Sequence, residues 1–203
     1  MTETRKPFFY DVTLRDGNQA LPKPWNNAQK KDVYLLLLKL GVQGAEVGFP
    51  ASSEMDFESV MELAKLTAQM AEEGDETAKN VVVSGLARCI ESDIQRCWEA
   101  VQYAPHPRIH TFLATSPLSM ENVLRMTPEQ VKERAVRCVK LAKSLVGDKG
   151  DVACISSLPR LPQTWKFNFV QHKEFAKLAK SLGEQLDVLL WGKKLLCPFL
   201  HSN

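Results

Sequence analysis

The densest run of reactive side chains in this 203-residue sequence is Asp11-Val12-Thr13-Leu14-Arg15-Asp16-Gly17-Asn18-Gln19. Arg15 and Asp16 sit side by side at a turn signal, Asp16-Gly17-Asn18. A carboxylate there can hold a hard divalent cation through oxygen, and the adjacent guanidinium can stabilise negative charge growing on a carbonyl oxygen. That combination suits a reaction passing through an enolate. An Arg–Asp ion pair that merely pins a turn has the same pattern, so charge alone leaves both readings open. Other metal-ligand chemistry is sparse. No two of the histidines His106, His110, His172 and His201 are separated by a single residue. His106 and His110 span Pro107 at a strand entry, so they are not an i, i+4 helical metal pair. The five cysteines, Cys89, Cys97, Cys138, Cys154 and Cys197, are scattered and include no CxxC. Reduced, buried thiols are expected from that spacing, not a zinc knuckle or a disulfide framework.

The elements that must position these groups alternate. Phe8 to Leu14 is a β-prone run that would deliver Arg15, Asp16 and Gln19 at its C-terminal end. Asn27 to Leu40 reads as a helix capped by Asn26 or Asn27, with Val33, Leu36, Leu37 and Leu40 as its buried stripe, and Gly41 stops it. Ala45–Phe49 is a second strand, followed by a Ser53-capped helix to about Met70. Val81–Leu86 is a third strand, with a helix over Glu91 to Val101. Arg108–Thr115 is a fourth strand, with a helical turn near Met120 to Met126. Thr127-Pro128-Glu129-Gln130 places Thr at N-cap, Pro at N1 and Gln at N3 of the next helix. That helix presents Val131, Ala135, Cys138, Ala142 and Leu145 on one face, and Asp151–Ile155 is a fifth strand. Strand–helix alternation at this interval argues for right-handed βαβ units and a parallel sheet. An open doubly wound sheet and part of a (β/α)8 barrel both fit.

Bulk properties exclude several classes. A net charge of +2, with acids and bases interspersed, gives no electrostatic footprint for nucleic acid or an anionic membrane. Met1 to Phe9 lacks the apolar core of a secretory signal, and no run approaches a membrane span. A cytoplasmic location is the expectation.

Asp-x-Thr-Leu-Arg-Asp-Gly-x-Gln (Asp11–Gln19) resembles the signature of the metal-dependent Claisen-condensing and lyase TIM barrels. Two further stretches narrow the resemblance to the 2-isopropylmalate synthases: Glu46-Val47-Gly48-Phe49-Pro50-Ala51-Ser52-Ser53 with Asp56-Phe57, and Arg108-Ile109-His110-Thr111-Phe112-Leu113-Ala114-Thr115-Ser116. The resemblance runs from about Phe8 to Val152 and implies an α/β fold, the first four to five βα units of a (β/α)8 TIM barrel. It implies condensation of acetyl-CoA with 2-oxoisovalerate, in leucine biosynthesis, by an intact homodimer using Mg, Mn or Zn. Citramalate and homocitrate synthases share the same motifs. By position, the resemblance makes Asp16 the metal ligand and Arg15 the enolate-stabilising arginine. Glu46 and His110 become catalytic, and Gln19, Thr115 and Ser116 become substrate-binding.

The resemblance is expected to cover residues 1–154 as the front of the catalytic barrel, with 155–203 as a divergent tail. Ile155-Ser156-Ser157-Leu158 stands where the family carries a Phe-Ser-x-Glu-like stretch, and the family's His-x-His ligand pair is missing. A shifted reading frame, a retained intron or a gene-prediction error is the expected origin of that tail. Trp165-Lys166-Phe167-Asn168-Phe169 faintly resembles the fifth strand of long-form synthases, which would instead mean an insertion. Lys173 to Leu190 reads as a helix with Phe175, Leu178, Ala179, Leu182 and Leu186 on one side. Poor solubility alone and no synthase activity alone are expected. A non-catalytic remnant that binds a full-length synthase is the reading from a different class.

Overall fold

The computed structural model describes residues 8–157 and 186–189. Six strands form one sheet: β1 (Tyr10–Asp11), β2 (Gly44–Gly48), β3 (Val82–Arg88), β4 (His106–Ala114), β5 (Asp151–Ser157) and β6 (Leu186–Leu189). The helices are α1 (Asn27–Leu40), α2 (Glu54–Glu72), α3 (Glu76–Asn80), α4 (Glu91–Val101), the short α5 (Pro117–Ser119) and α6 (Pro128–Val146). Every neighbouring pair of strands is parallel, and the spatial order β1-β2-β3-β4-β5-β6 is the order of the chain. A doubly wound sheet reverses direction at a switch point, whereas a barrel adds each strand beside the last. The sheet therefore winds as a segment of a (β/α)8 barrel, which settles the choice that periodicity left open.

Register sorts the side chains onto two faces. Glu46 lies opposite Ser84, Ser84 opposite Arg108, and Arg108 opposite Asp151, while His110 pairs with Leu86. Residues two apart on a strand share a face, so Arg108 and His110 point the same way. The other face carries Ala45, Val47, Val83, Ala87, Ile109, Leu113, Val152 and Cys154, all buried in the core that includes α4 and α6. Gly85 on that face marks how closely α4 approaches, because a Cβ there would sit 2.7 Å from Cys97 Sγ and 3.1 Å from Val101 Cγ1.

The caps expected from sequence form. Asn26 accepts the Gln29 N–H while Gln29 reaches back to the Asn26 N–H, and Thr127 and Gln130 do the same at α6. Ser53 caps α2, and Gly41 closes α1 in the left-handed conformation at φ 75°.

Four local expectations are corrected. β1 ends at Asp11, because the Asp11 carboxylate accepts both the Thr13 N–H and hydroxyl and turns the chain out of the sheet. The buried stripe of α1 is Lys30, Tyr34, Leu37 and Leu38, with Leu36 58% and Leu40 77% exposed. Two polar anchors set that rotation: Tyr34 Oη lies 2.7 Å from Thr67 Oγ1 of α2, and Lys30 binds Asp56. α3 was not anticipated; its five residues, capped by Asp75, are too few to show a helical period. Leu186–Leu189, expected as the end of a helix, is strand β6, paired in parallel with β5 from Val152 to Ile155. The remainder of that expected helix, Lys173 to Gln185, and the Trp165–Phe169 stretch lie outside the described residues.

Gly85→Ala is expected to destabilise the chain by about 1–3 kcal/mol through overpacking against Cys97 and Val101. Urea unfolding followed by circular dichroism measures this; an unchanged midpoint would mean that α4 stands off the sheet.

Candidate active site

The site begins where β1 stops. The Val12 carbonyl accepts the N–H groups of Arg15, Asp16 and Gly17 at 3.2, 2.8 and 3.3 Å, winding Thr13–Gly17 into a π-helical turn. Leu14 is buried beneath the turn, and Arg15 is swung back over the sheet. Asn18 is buried as well, and its Oδ1 accepts the Trp25 N–H at 2.8 Å, which ties down the loop leading to α1.

Glu46 of β2 is the hub. It is 0% exposed. Arg15 Nε donates to its Oε1, while His110 Nδ1 and, at 3.4 Å, the Tyr10 hydroxyl meet its Oε2. Burial alone would push this carboxyl up, but the hydrogen bond and charge of His110, followed by Arg15, hold it below its ordinary value. The Tyr10 phenol is pushed up, first by burial and then by the Glu46 charge, so it stays a proton donor. Because a carboxylate only accepts, the His110 proton facing Glu46 is on Nδ1. His110 Nε2 is buried with no hydrogen-bond partner among the described residues. Arg15 has a similar spare arm: Nε is on Glu46 and Nη1 on Asp16 Oδ1 at 2.5 Å, leaving Nη2 without a partner among the described residues.

Two further ion pairs brace this centre. On the same sheet face, Arg108 Nε and Nη2 grip the Asp151 carboxylate at 2.5 and 2.6 Å, and the guanidinium lies 5.9 Å from the centre of the Tyr10 ring. Beyond β2, Asp56 accepts the Phe49 N–H at 2.6 Å and the Ser52 hydroxyl at 3.2 Å, and pairs with the buried Lys30. Gly48 admits that carboxylate, since a Cβ would meet Asp56 Oδ2 at 3.2 Å and Val60 Cγ2 at 2.7 Å.

Arg15, Asp16, Glu46 and His110, singled out from sequence, thus form one connected cluster. Gln19 is exposed and makes no hydrogen bond to the cluster. Thr115 and Ser116 are buried past the end of β4, and the Ser116 hydroxyl accepts the Ser119 N–H at 3.0 Å while donating to Ser119 Oγ at 2.7 Å. Tyr10, Arg108, Asp151 and Lys30 were missed. For Arg108 the signal was present, because His106, Arg108 and His110 alternate along one strand face.

A metal finds little here. The Asp16 side chain is 61% exposed and offers one carboxylate, already shared with Arg15. The described residues contain no group of three or more His, Cys, Asp or Glu that could hold an ion. One oxygen ligand leaves a hard cation mostly hydrated and weakly bound, so these residues by themselves do not fit a resident metal.

A singly wound parallel sheet with an Arg–Asp turn after its first strand, backed by a buried Glu and His, defines a barrel-type α/β catalytic scaffold. The chain belongs to the HMGL-like family, whose model matches residues 6–183. It is 47% identical over 146 residues to 2-isopropylmalate synthase 2 of Leptospira interrogans, covering 72% of this chain and 32% of that protein. It is 49% identical over 139 residues to the 2-isopropylmalate synthase of Lysinibacillus sphaericus, covering 68% and 25% respectively. An HMG-CoA lyase structure from Acinetobacter baumannii superimposes with a TM-score of 0.51 at 18% identity, over 89% of this chain and 65% of that one, a likeness of fold. The chain spans between 25% and 32% of the length of these two curated relatives.

Glu46→Gln is expected to cost about 3 kcal/mol at neutral pH, since it leaves Arg15 and His110 facing a neutral amide. The folded carboxyl is depressed, so its stabilisation is full above the unfolded value of about 4.3 and is lost as pH falls through the folded value. Urea unfolding from pH 7 to pH 3 should show wild type and variant converging at the acid end; a constant gap would show that charge is not the cause.

Proposed function

We propose that the chain carries the front part of a 2-isopropylmalate synthase catalytic barrel, the arm that binds and stabilises an enolate while acetyl-CoA condenses with 2-oxoisovalerate. The observation that carries this reading is the Glu46 hub, which fixes Arg15 and His110 and leaves one polar nitrogen of each unspent. Arg15 Nη2 is the donor for the enolate oxygen, and fixed N–H groups aimed at developing charge are commonly the largest electrostatic contribution to such a step. His110 Nε2, with its tautomer set by Glu46, can accept or return a proton on the substrate. Gln19, Thr115 and Ser116 would line the 2-oxo acid pocket. Asp16 would be one ligand of a divalent metal, Mg, Mn or Zn, whose other ligands are not among the described residues. A homodimer and a cytoplasmic location belong to the same reading. Residues 1–154 would be the barrel part, and 155–203 the divergent tail.

Citramalate or homocitrate synthesis differs only in the 2-oxo acid accepted. A non-catalytic remnant bound to a full-length synthase is the second reading, supported by one observation: among the described residues no group of three or more His, Cys, Asp or Glu could hold an ion.

The chain alone, with acetyl-CoA, 2-oxoisovalerate and Mg, Mn or Zn, is expected to release no CoA above the blank. Grafting residues 8–153 into the Leptospira interrogans enzyme is expected to give a chimera that releases CoA with 2-oxoisovalerate. Arg15→Gln in that chimera should lower kcat by about 100-fold or more. A folded but inactive chimera would leave the remnant reading, and preference for pyruvate or 2-oxoglutarate would redirect the substrate.

A further inference from the structure

Tyr10 stands where the two charge clusters on the polar face of the sheet meet. β1 holds only Tyr10 and Asp11, and Tyr10 faces Gly44 of β2 in register. A Cβ at Gly44 would lie 2.6 Å from Tyr10 Cδ2 and 3.1 Å from Cε2, so the bare glycine is what lets the ring lie on β2. From that seat the hydroxyl reaches Glu46 Oε2 at 3.4 Å, the oxygen that also faces His110 Nδ1. The ring centre lies 5.9 Å from the Arg108 guanidinium, which Asp151 holds in place.

We propose that Tyr10 is a positioning residue that acts on His110 through Glu46: its hydroxyl keeps the carboxylate charged and Oε2 turned toward His110 Nδ1, so that Nε2 is presented to the substrate. The role rests on the reading of His110 as the group that handles the proton in the condensation. Arg15 covers Glu46 Oε1, and without Tyr10 the Oε2 atom has His110 as its single donor among the described residues. A donor to the charged form of a carboxyl favours ionisation, and a bond as long as this one contributes modestly.

The surroundings keep the hydroxyl in its donating form. Burial and then the Glu46 charge push the phenol up, while the Arg108 cation opposes them and so makes the hydroxyl a better donor. The other ionisable groups around this contact are Arg15 from the π-helical turn, His110 and Arg108 from β4, and Cys97 from α4, whose thiol is pushed up by burial and then by Glu46. Arg15 and His110 are the donors that hold Glu46 ionised, and Tyr10 adds to them.

The test is titration of the Glu46 carboxyl by carbon-detected NMR in the folded full chain, wild type against Tyr10→Phe, which keeps the ring on Gly44 and removes only the hydroxyl. Loss of the donor is expected to raise the midpoint by about half a pH unit. Gly44→Ala, which pushes the ring off β2, should move it in the same direction, and Tyr10→Phe decides alone if that variant fails to fold. In the Leptospira interrogans chimera, Tyr10→Phe should lower kcat about threefold with KM for both substrates unchanged. An inactive chimera would count against the reading of the reaction, and the carboxyl titration then decides the role of Tyr10. Equal Glu46 midpoints in wild type and Tyr10→Phe, or an active chimera in which only KM changes, would overturn the proposal.

Discussion

One carboxylate buried without solvent organises this molecule. Glu46 can remain charged at the centre of the sheet only because Arg15 and His110 bring donors to both of its oxygens. Arg15 must therefore leave its own strand and arch back across the sheet, which the π-helical turn after Asp11 achieves. His110 must stand on the same face as Arg108, two residues earlier in β4, and the two-residue repeat of the strand ensures this. The site is thus a consequence of placing an ionised group where water cannot reach it.

The surrounding ion pairs extend the same logic. Arg108 and Asp151 are bidentate partners across β4 and β5, and the guanidinium lies near the Tyr10 ring whose hydroxyl completes the Glu46 shell. Lys30 and Asp56 do for the loop after β2 what Arg15 and Glu46 do for the turn after β1. Lys30 and Asp56 join helices that follow different strands, whereas Arg108 and Asp151 stand at the starts of β4 and β5 themselves, so charge braces the polar face of the sheet while the helix-facing side is held by close apolar packing.

Much of this was legible in the sequence. The helix starts at Asn26, Ser53 and Thr127 follow from side chains that satisfy unpaired N–H groups, and local chemistry of that kind survives in any context. Arg15, Asp16, Glu46 and His110 were legible because their motifs resemble a known family, although nothing in their spacing reveals that they touch. What stayed hidden depended on tertiary contacts. α1 was expected to bury Leu36 and Leu40, but the tethers from Lys30 to Asp56 and from Tyr34 to Thr67 rotate them outward. Strand order, which separates a barrel from a doubly wound sheet, has no local signature at all. Leu186–Leu189 misled because a short apolar run fits helix and strand alike, and its pairing with β5 decides between them.

The most direct test of the Glu46 hub is to titrate its side-chain carboxyl by carbon-detected NMR in the folded chain, using Glu46→Gln to assign the resonance. A midpoint below the ordinary glutamate value of about 4.3 is expected, with the His110 ring and Arg15 side-chain signals moving at the same pH. A midpoint at or above that value, with His110 and Arg15 unresponsive, would contradict the hub and leave Arg15 and Asp16 as an ion pair that only pins a turn.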